Sequence, residues 1–398
     1  MTAMKNILIL CSDQMRGDAL GFMGNPVCRT PNFDRLASRS VVFEQHYTTF
    51  PKCVPARGSL MTGRYAHTDG WRTVQQVLDP EQPNLARSLR NAGYQTGVFG
   101  KNHCWSDQDW GQMDYTSESP EMIGLLEPKR ARQAIDFDAP GRKPARLHEG
   151  WDYVGNGTRH RPDEAYTEQT IEFLTQRRDP ERPFFLQLNW ESPHTVYGVE
   201  EPYFSMYDRD KLPALPCSLP RNAPRAVRAQ REHRTGLTDD PEAAREVQAT
   251  YYGMISKVDF LCGQILDTLD SANLWEDTIV LFISDHGDYA GQYGLPEKYD
   301  THFSDCLMHV PCTLAAPGLP SGRRVSSLCD LAAIAPTLCD LLDIDPWPNM
   351  HGQSLLPVIA GEKTIDAVFA DGGHEAEMRE RYLEINRDRI AANDPKRG

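Results

Sequence analysis

Two almost purely apolar segments constrain the fold of this chain more than any other feature of its sequence. Residues 6–11 and 278–284 carry almost no polar side chains, which is typical of strands that are buried on both faces of a parallel sheet. Segments with helical spacing of apolar residues lie between the strand-like runs, and the longest covers 241–269. We therefore predict an α/β fold in which helices cover both faces of one large, mainly parallel sheet.

The bulk properties exclude several classes of protein. The chain has 398 residues, of which 40% are hydrophobic and 25% charged, as in globular proteins. Its formal net charge of −14 argues against a nucleic-acid partner held by a broad basic surface. No run approaches the roughly 18 apolar residues that span a bilayer, and the apolar N-terminal stretch lacks a signal-peptide pattern. We expect a cytoplasmic protein without membrane association, and the sequence gives no indication of its oligomeric state.

Polar side chains follow four of the predicted strands at the point where each strand ends. In open α/β sheets the ligand site lies beyond the carboxyl ends of the strands, so we expect these side chains to share one crevice. Two of the strand ends offer mainly oxygen ligands and one imidazole, a set that suits a divalent cation such as Ca²⁺, Mg²⁺ or Mn²⁺. The four strand ends carry Asp13-Gln14, Lys101 with His103, His194, and Asp285-His286.

Cys53 lies at the predicted start of a short helix, which Pro55 suits near its beginning and Gly63 suits at its end. A helix N-terminus favours an anion, and Arg57 one turn later offers a planar fork for an oxyanion. The alternative is a buried structural cysteine beside a surface arginine. Because a thiol is poorly matched to an oxygen-rich site, Cys53 is either not a metal ligand or not a thiol in the active protein.

Taken together, the motifs resemble those of the sulfatase family over residues 5–360. The segment 53–57 is similar to the family's Cys-x-Pro-x-Arg signature, and a Thr-Gly-Arg follows it at 62–64. The likeness extends to several further segments, namely 100–103, 192–194, 284–287 with Lys298, and 351–357. The resemblance implies the alkaline phosphatase-like fold and conversion of Cys53 to formylglycine by a separate maturation enzyme.

The resemblance also implies a reaction. The hydrate of the formylglycine aldehyde is an oxygen ligand and an oxygen nucleophile: one hydroxyl, activated by the metal, attacks sulfur and displaces the alcohol. The second hydroxyl then collapses the sulfated intermediate to the aldehyde and releases sulfate. The implied metal is Ca²⁺, with Mn²⁺, Mg²⁺ or Zn²⁺ as alternatives, and its implied ligands are Asp13, Gln14, the modified Cys53, Asp285 and His286.

The remaining motif residues take roles by the same resemblance. Arg57 would hold the hydrate, while Lys101 and Lys298 would neutralise the sulfate oxygens as charge builds. His194 would protonate the leaving alcohol, and His103 would orient or deprotonate the hydrate. We further expect the substrate pocket to be lined by a few aromatic and basic residues, namely Trp105, Tyr197, Arg72 and His302.

Three functions stay open on the sequence. The first is hydrolysis of a small-molecule or saccharide sulfate ester. The second is a phosphonate or phosphodiester monoesterase, because Gln14 stands where many sulfatases have Asp, and similar Asp-Gln pairs occur in the branch that includes those enzymes. The third is a non-catalytic binding protein in which Cys53 is never matured.

The expected domain organisation is a catalytic α/β domain over 1–345 and a short C-terminal segment over 346–398. Sulfatases usually add a C-terminal subdomain with a small antiparallel sheet. Only about forty residues follow Pro357, so we expect this subdomain to be shortened or missing.

Overall fold

The strands of the chain lie mainly in one large sheet. The computed structural model describes residues 5–73, 77–79, 81–105, 110–117, 155–157, 163–234 and 241–373. Their strands are β1 (Asn6–Asp13), β2 (Val41–Tyr47), β3 (Gln95–Gly100), β4 (Tyr115–Thr116), β5 (Gly155–Asn156), β6 (Phe184–Pro193), β7 (Gly198–Val199), β8 (Thr278–Ser284), β9 (Cys312–Ala315) and β10 (Arg324–Asp330).

Eight of these strands form the central sheet in the order β10-β2-β9-β8-β1-β6-β3-β4. Strand β9 runs antiparallel to both of its neighbours, and the other described pairs of this sheet are parallel. Strands β5 and β7 form a separate parallel pair. The prediction of a mainly parallel sheet is confirmed.

Helices connect the strands and cover the sheet. They are α1 (Pro31–Ser38), α2 (Cys53–Thr62), α3 (Ala66–Asp69), α4 (Leu85–Asn91), α5 (Asp163–Glu172), α6 (Arg225–Arg234), α7 (Pro241–Ser271), α8 (Asp305–Met308), α9 (Ile334–Leu342) and α10 (Leu356–Ala360). Helix α5 continues as a π-helical turn at Phe173–Arg177. Among the described residues, no helix combines the length and the apolar character needed to cross a membrane.

The alternation of side chains along β1 explains why its sequence is apolar throughout. Leu8 and Leu10 point into a core that includes residues of α1, α5 and α7. Ile7 and Ile9 point to the opposite face, into a core that includes residues of α2, α4 and α9. Because successive side chains of a strand face opposite sides of the sheet, both sets must be apolar where both faces are covered.

Two segments differ from the sequence-based prediction. The prolines and basic residues of 200–240 predict an irregular stretch, but residues 225–234 form helix α6. Its basic sequence buries only Val227 among the residues whose side chains are described, so it carries little apolar periodicity. Strand β10, for which the sequence provides no clear signal, pairs in parallel with β2 at the edge of the sheet. The residues at 105–160 are rich in Asp, Pro, Gly and Arg and predict long loops, and most of them fall outside the described residues.

The topology places four strand ends at one edge of the sheet. Strands β8, β1, β6 and β3 are adjacent and parallel, so their last residues (Ser284, Asp13, Pro193 and Gly100) lie along the same edge. The residues that follow these strands are the predicted site residues, and they lie together for this reason.

Candidate active site

The predicted strand-end residues converge as expected. Potential ligand atoms of Asp13, Asp285 and His286 all lie within 4.8 Å of one another. A second such group consists of Asp13, Cys53 and His103. Asp13 therefore joins the end of β1 to the segment after β8, to the start of α2 and to the segment after β3.

The donor set fits a cation. Asp13 Oδ1 and His286 Nε2 are buried, lie 3.7 Å apart, and have no hydrogen-bond partner among the described residues. The His286 Nδ1–H donates to the carbonyl oxygen of Gly287 at 3.0 Å, so Nε2 is the ring nitrogen that lies beside the carboxylates. Asp285 Oδ1 lies 3.8 Å from the same nitrogen. Buried polar atoms rarely go without a partner, so a carboxylate oxygen and an imidazole nitrogen in this position form a candidate metal site.

Gln14 links this pair of carboxylates to a lysine. Its backbone N–H donates to Asp285 Oδ1 at 3.1 Å, and its Oε1 accepts from Lys298 Nζ at 2.6 Å. Its Nε2 donates to Asp288 Oδ2 at 2.5 Å, which fixes the orientation of the amide. An amide oxygen has two lone pairs, so the hydrogen bond from Lys298 does not prevent Gln14 Oε1 from binding a metal ion. The ligand role of Gln14 stays a prediction.

Arg57 is buried between the two carboxylates and is only 1% exposed. Its Nε donates to Asp285 Oδ2 at 2.7 Å, and its Nη2 donates to Asp13 Oδ2 at 3.2 Å. Lys101 Nζ also lies 2.7 Å from Asp13 Oδ2. Burial alone would raise the pKa of Asp13, but Lys101, with His194 and Arg57, holds that pKa well below its usual range. Asp13 is therefore an anion, and the guanidinium braces the carboxylates from behind.

Cys53 is the first residue of α2 and is 2% exposed. Lys52 before it is extended, and Gly63 ends the helix in the left-handed conformation with φ 71°. The Cys53 Sγ lies 3.0 Å from His103 Nδ1. Burial, and then the charge of Lys101, lowers the pKa of His103 to about 3, so this imidazole is neutral.

His194 and Lys298 form a pair on the other side of the site. The only role open to His194 Nδ1 beside the carbonyl oxygen of Thr195 (2.7 Å) is that of a donor. His194 Nε2 therefore accepts from Lys298 Nζ at 2.9 Å. Burial, Lys101 and Lys298 hold the pKa of His194 well below its usual range. The proton between the two groups thus resides on Lys298. The role of His194 as the acid for the leaving alcohol stays a prediction.

The predicted pocket residues lie in different environments. Tyr197 has no exposed surface, and its hydroxyl donates to Asp288 Oδ1 at 2.7 Å, so it supports the site from behind. His302 is buried, and its Nδ1 lies 3.1 Å from the Tyr289 hydroxyl oxygen. Trp105 is buried in the core that contains α2. All three side chains are buried, and their role in lining the substrate pocket stays a prediction.

Arg72 is the predicted pocket residue that keeps appreciable exposure. Its Nη2 donates to Asp371 Oδ1 at 3.3 Å and to the carbonyl oxygen of Gly372 at 2.7 Å. The Asp371 backbone N–H donates to the carbonyl oxygen of Thr49, close to the start of α2. Arg72 therefore holds the segment around Asp371 against the chain that leads to Cys53.

Sequence reasoning missed two buried acids beside these groups. Burial and the nearby Glu297 raise the pKa of Asp288 to about 6. Glu297 Oε1 lies 3.1 Å from Lys298 Nζ. Both acids stand within two positions of a motif residue, His286 or Lys298, and this proximity was the only signal that the sequence offered.

The sequence of this chain is similar to those of known proteins. The family model described as Sulfatase matches residues 5–344. An arylsulfatase of Clostridium perfringens is 26% identical, over 97% of this chain and 85% of its own. The multifunctional alkaline phosphatase superfamily protein PehA of Trinickia caryophylli is 27% identical, over 91% of this chain and 78% of its own.

A solved structure agrees with the fold. The phosphonate monoester hydrolase of Agrobacterium radiobacter superposes with a TM-score of 0.74 at 26% identity, over 96% of this chain and 83% of that one. The predicted α/β architecture with a large, mostly parallel sheet is thereby confirmed. The chain belongs to the sulfatase family and is a sulfuric ester hydrolase.

Proposed function

We propose that this chain hydrolyses sulfate esters of small-molecule or saccharide alcohols, with formylglycine made from Cys53 as its nucleophile. The observation that carries the proposal is the position of Cys53. Its Sγ lies 3.0 Å from a neutral His103 and belongs to the same cluster as Asp13. A thiol adds little to such an oxygen-rich cluster, whereas an aldehyde hydrate offers both a ligand oxygen and a nucleophilic oxygen.

The residues around Cys53 suit the parts of this reaction. One hydroxyl of the hydrate would attack sulfur as the bond from sulfur to the alcohol oxygen breaks. His103, beside Cys53, would orient or deprotonate the hydrate, and His194 would protonate the alcohol as it leaves. The ester oxygens meet the ammonium groups of Lys101 and Lys298, which offset the negative charge that builds in the transition state. The second hydroxyl then expels sulfate as the aldehyde forms again, and water restores the hydrate.

A divalent cation fits the unpartnered atoms of Asp13 and His286, with Asp285 beside them. When bound, it would supply a Lewis acid that acidifies the hydrate and polarises the ester. Ca²⁺ is the proposed ion because the set is dominated by carboxylate oxygen, with Mn²⁺, Mg²⁺ and Zn²⁺ as alternatives. The chain's own part is to hold these carboxylates in place, which Arg57 and Lys101 do through their ion pairs.

A second candidate is a phosphonate or phosphodiester monoesterase that uses the same residues. Gln14 favours it, because pairs similar to Asp13-Gln14 occur in the branch of the family that includes phosphonate and phosphodiester monoesterases. The similarity to the Agrobacterium radiobacter phosphonate monoester hydrolase is a second reason to keep it. Both substrate classes present a monoanionic group, so the lysines alone do not discriminate between them.

Mass spectrometry and substrate comparison test the proposal. After co-expression with a formylglycine-generating maturation enzyme, we expect the peptide that contains Cys53 to show the aldehyde mass, and we expect Cys53→Ala to be inactive. Rates on 4-nitrophenyl sulfate and on a phenyl phosphonate ester are then compared for the converted protein. A large preference for the phosphonate would favour the second candidate. A Cys53 that stays a thiol under these conditions would instead favour a non-catalytic role.

A further inference from the structure

Glu297 has a backbone conformation that its residue type does not favour. It is buried, and its φ of 62° lies in the left-handed region, where a side chain with a Cβ is strained and glycine is not. Its backbone is anchored on both sides: the N–H donates to the Tyr197 hydroxyl at 2.8 Å, and the carbonyl oxygen accepts from the Tyr289 N–H at 3.0 Å. A strained, anchored position that carries a charged side chain raises the question of what its carboxylate does.

The carboxylate of Glu297 contacts Lys298 directly and is linked to His194 through Thr195. Oε1 lies 3.1 Å from Lys298 Nζ, and Oε2 accepts from the Lys298 backbone N–H at 3.1 Å. Oε1 also accepts from the Thr195 hydroxyl at 2.6 Å. Thr195 is the residue whose carbonyl oxygen receives the His194 Nδ1–H. One carboxylate therefore fixes the ammonium and the peptide that sets the histidine tautomer.

The charge of Glu297 is stable in this position. Burial alone would raise its pKa, but Lys298, together with the hydrogen bonds from Thr195 and from the Lys298 backbone, lowers that pKa overall. Lys298 in turn has a raised pKa, because Glu297, with Cys53 and Asp13, outweighs the effect of burial. The two groups thus form a buried ion pair. Of the three ammonium hydrogens of Lys298, one is available for Glu297 Oε1, one for Gln14 Oε1 and one for His194 Nε2.

We infer that Glu297 is a positioning residue that holds the Lys298–His194 pair in place as the source of the proton for the leaving alcohol. The inference rests on the proposed function. When the S–O bond to the alcohol breaks, its electron pair passes to the leaving oxygen, and the proton shared by Lys298 Nζ and His194 Nε2 passes to that oxygen. The pair regains a proton from water after the alcohol leaves. Without the carboxylate, the lysine and the imidazole lose their common anchor.

Leaving-group dependence is the readout that separates this role from a general contribution to folding. Proton donation raises the rate most when the departing oxygen would otherwise leave as a strongly basic anion, and least when that anion is stable. A fault in folding or in metal binding lowers the rate on every ester by the same factor. The experiment therefore measures kcat/KM on a series of aryl sulfates from 4-nitrophenyl to unsubstituted phenyl.

Two substitutions at Glu297 and two elsewhere make up the test. Glu297→Gln keeps the shape and removes the charge, whereas Glu297→Gly removes the side chain and relieves the strain at φ 62°, which protects the fold. Thr195→Val deletes one hydrogen bond to the carboxylate. Glu246→Gln is the control, because Glu246 forms a similar ion pair with Arg209 (2.9 Å). Thermal unfolding of each variant verifies that it is folded.

We expect both Glu297 variants to lose about 10-fold on 4-nitrophenyl sulfate and about 100-fold or more on phenyl sulfate, a steeper dependence than in the wild type. Thr195→Val should change in the same direction by a smaller factor, and Glu246→Gln should match the wild type. Equal losses across the series, or no loss, would overturn the role of Glu297.

The wild-type rates report separately on the proposed function. If converted wild-type protein cleaves aryl phosphonates and leaves aryl sulfates intact, the proposed function fails, and the role of Glu297 is then read from the same dependence on the phosphonate series. Converted wild-type protein that cleaves neither ester would overturn both.

Discussion

Replacement of Arg57 by alanine tests whether the paired carboxylates depend on the guanidinium behind them. The side chain is 1% exposed and contacts Asp285 at 2.7 Å and Asp13 at 3.2 Å. Removal of one partner of a buried ion pair leaves an uncompensated charge and costs about 3–5 kcal/mol in free energy of unfolding. We therefore expect Arg57→Ala to lose at least about 3 kcal/mol when divalent cations are chelated.

A matched control comes from an ion pair of the same length at the surface. Arg35 Nη1 lies 2.7 Å from Asp267, but the two side chains are 37% and 71% exposed. Because solvent screens such a pair, Arg35→Ala should cost less than about 1 kcal/mol. The measurement is urea unfolding in a chelating buffer. The free energies of unfolding in water are compared for variants whose free energies fall with urea concentration at the same slope.

Cation addition sharpens the test. A cation between Asp13 and His286 would compensate the carboxylates that Arg57→Ala leaves unpaired, so added Ca²⁺ should restore part of the loss in this variant and none in Arg35→Ala. If Arg57→Ala loses no more than Arg35→Ala in the chelating buffer, the guanidinium does not stabilise the paired carboxylates.

Three further predictions concern the fold and the site. In Gly100→Ala the new Cβ would lie 2.0 Å from the Asn189 carbonyl oxygen, so thermal unfolding should show a loss of at least about 2 kcal/mol, whereas Gly70→Ala, also at positive φ but with open space, should lose less. Asp13→Asn should abolish the heat of Ca²⁺ binding in calorimetry, and a Glu246→Gln variant should retain it. Burial and the nearby His309 lower the pKa of His46 from 6.5 to about 3, so the free energy of unfolding should fall as the pH falls from about 6.5 towards 3, and His46→Leu should flatten this dependence.

The sequence was most informative where a local pattern determines the structure. The apolar run of β1 and the polar pair that follows it predicted a buried strand and a site at its carboxyl end, because parallel strands bring their ends to one edge. The Cys53 helix was predicted with its start and its glycine stop, since Pro55 and Gly63 act through their own backbone geometry.

The rest depends on contacts between distant segments, which a local pattern does not encode. Glu297 is important because Thr195, about a hundred positions earlier, donates to its carboxylate. Tyr197, which follows β6, is predicted to line the pocket, and its hydroxyl donates to Asp288 in the loop after β8, a partner about ninety positions away. The direction of β9 also has no local signature, because an apolar strand of four residues reads the same in either orientation.

The central place of β1 in the sheet has a consequence for synthesis of the chain. Its two neighbours, β6 and β8, begin only at Phe184 and Thr278, so β1 waits until nearly half of these 398 residues are made before one edge is paired, and until more than two thirds are made before the other is paired. During that interval an almost entirely apolar strand with unpaired backbone groups is exposed, which is the condition that favours aggregation. Asp13 and Asp285 meet only when β8 docks on β1, so the binding of a cation at the proposed site would report that docking.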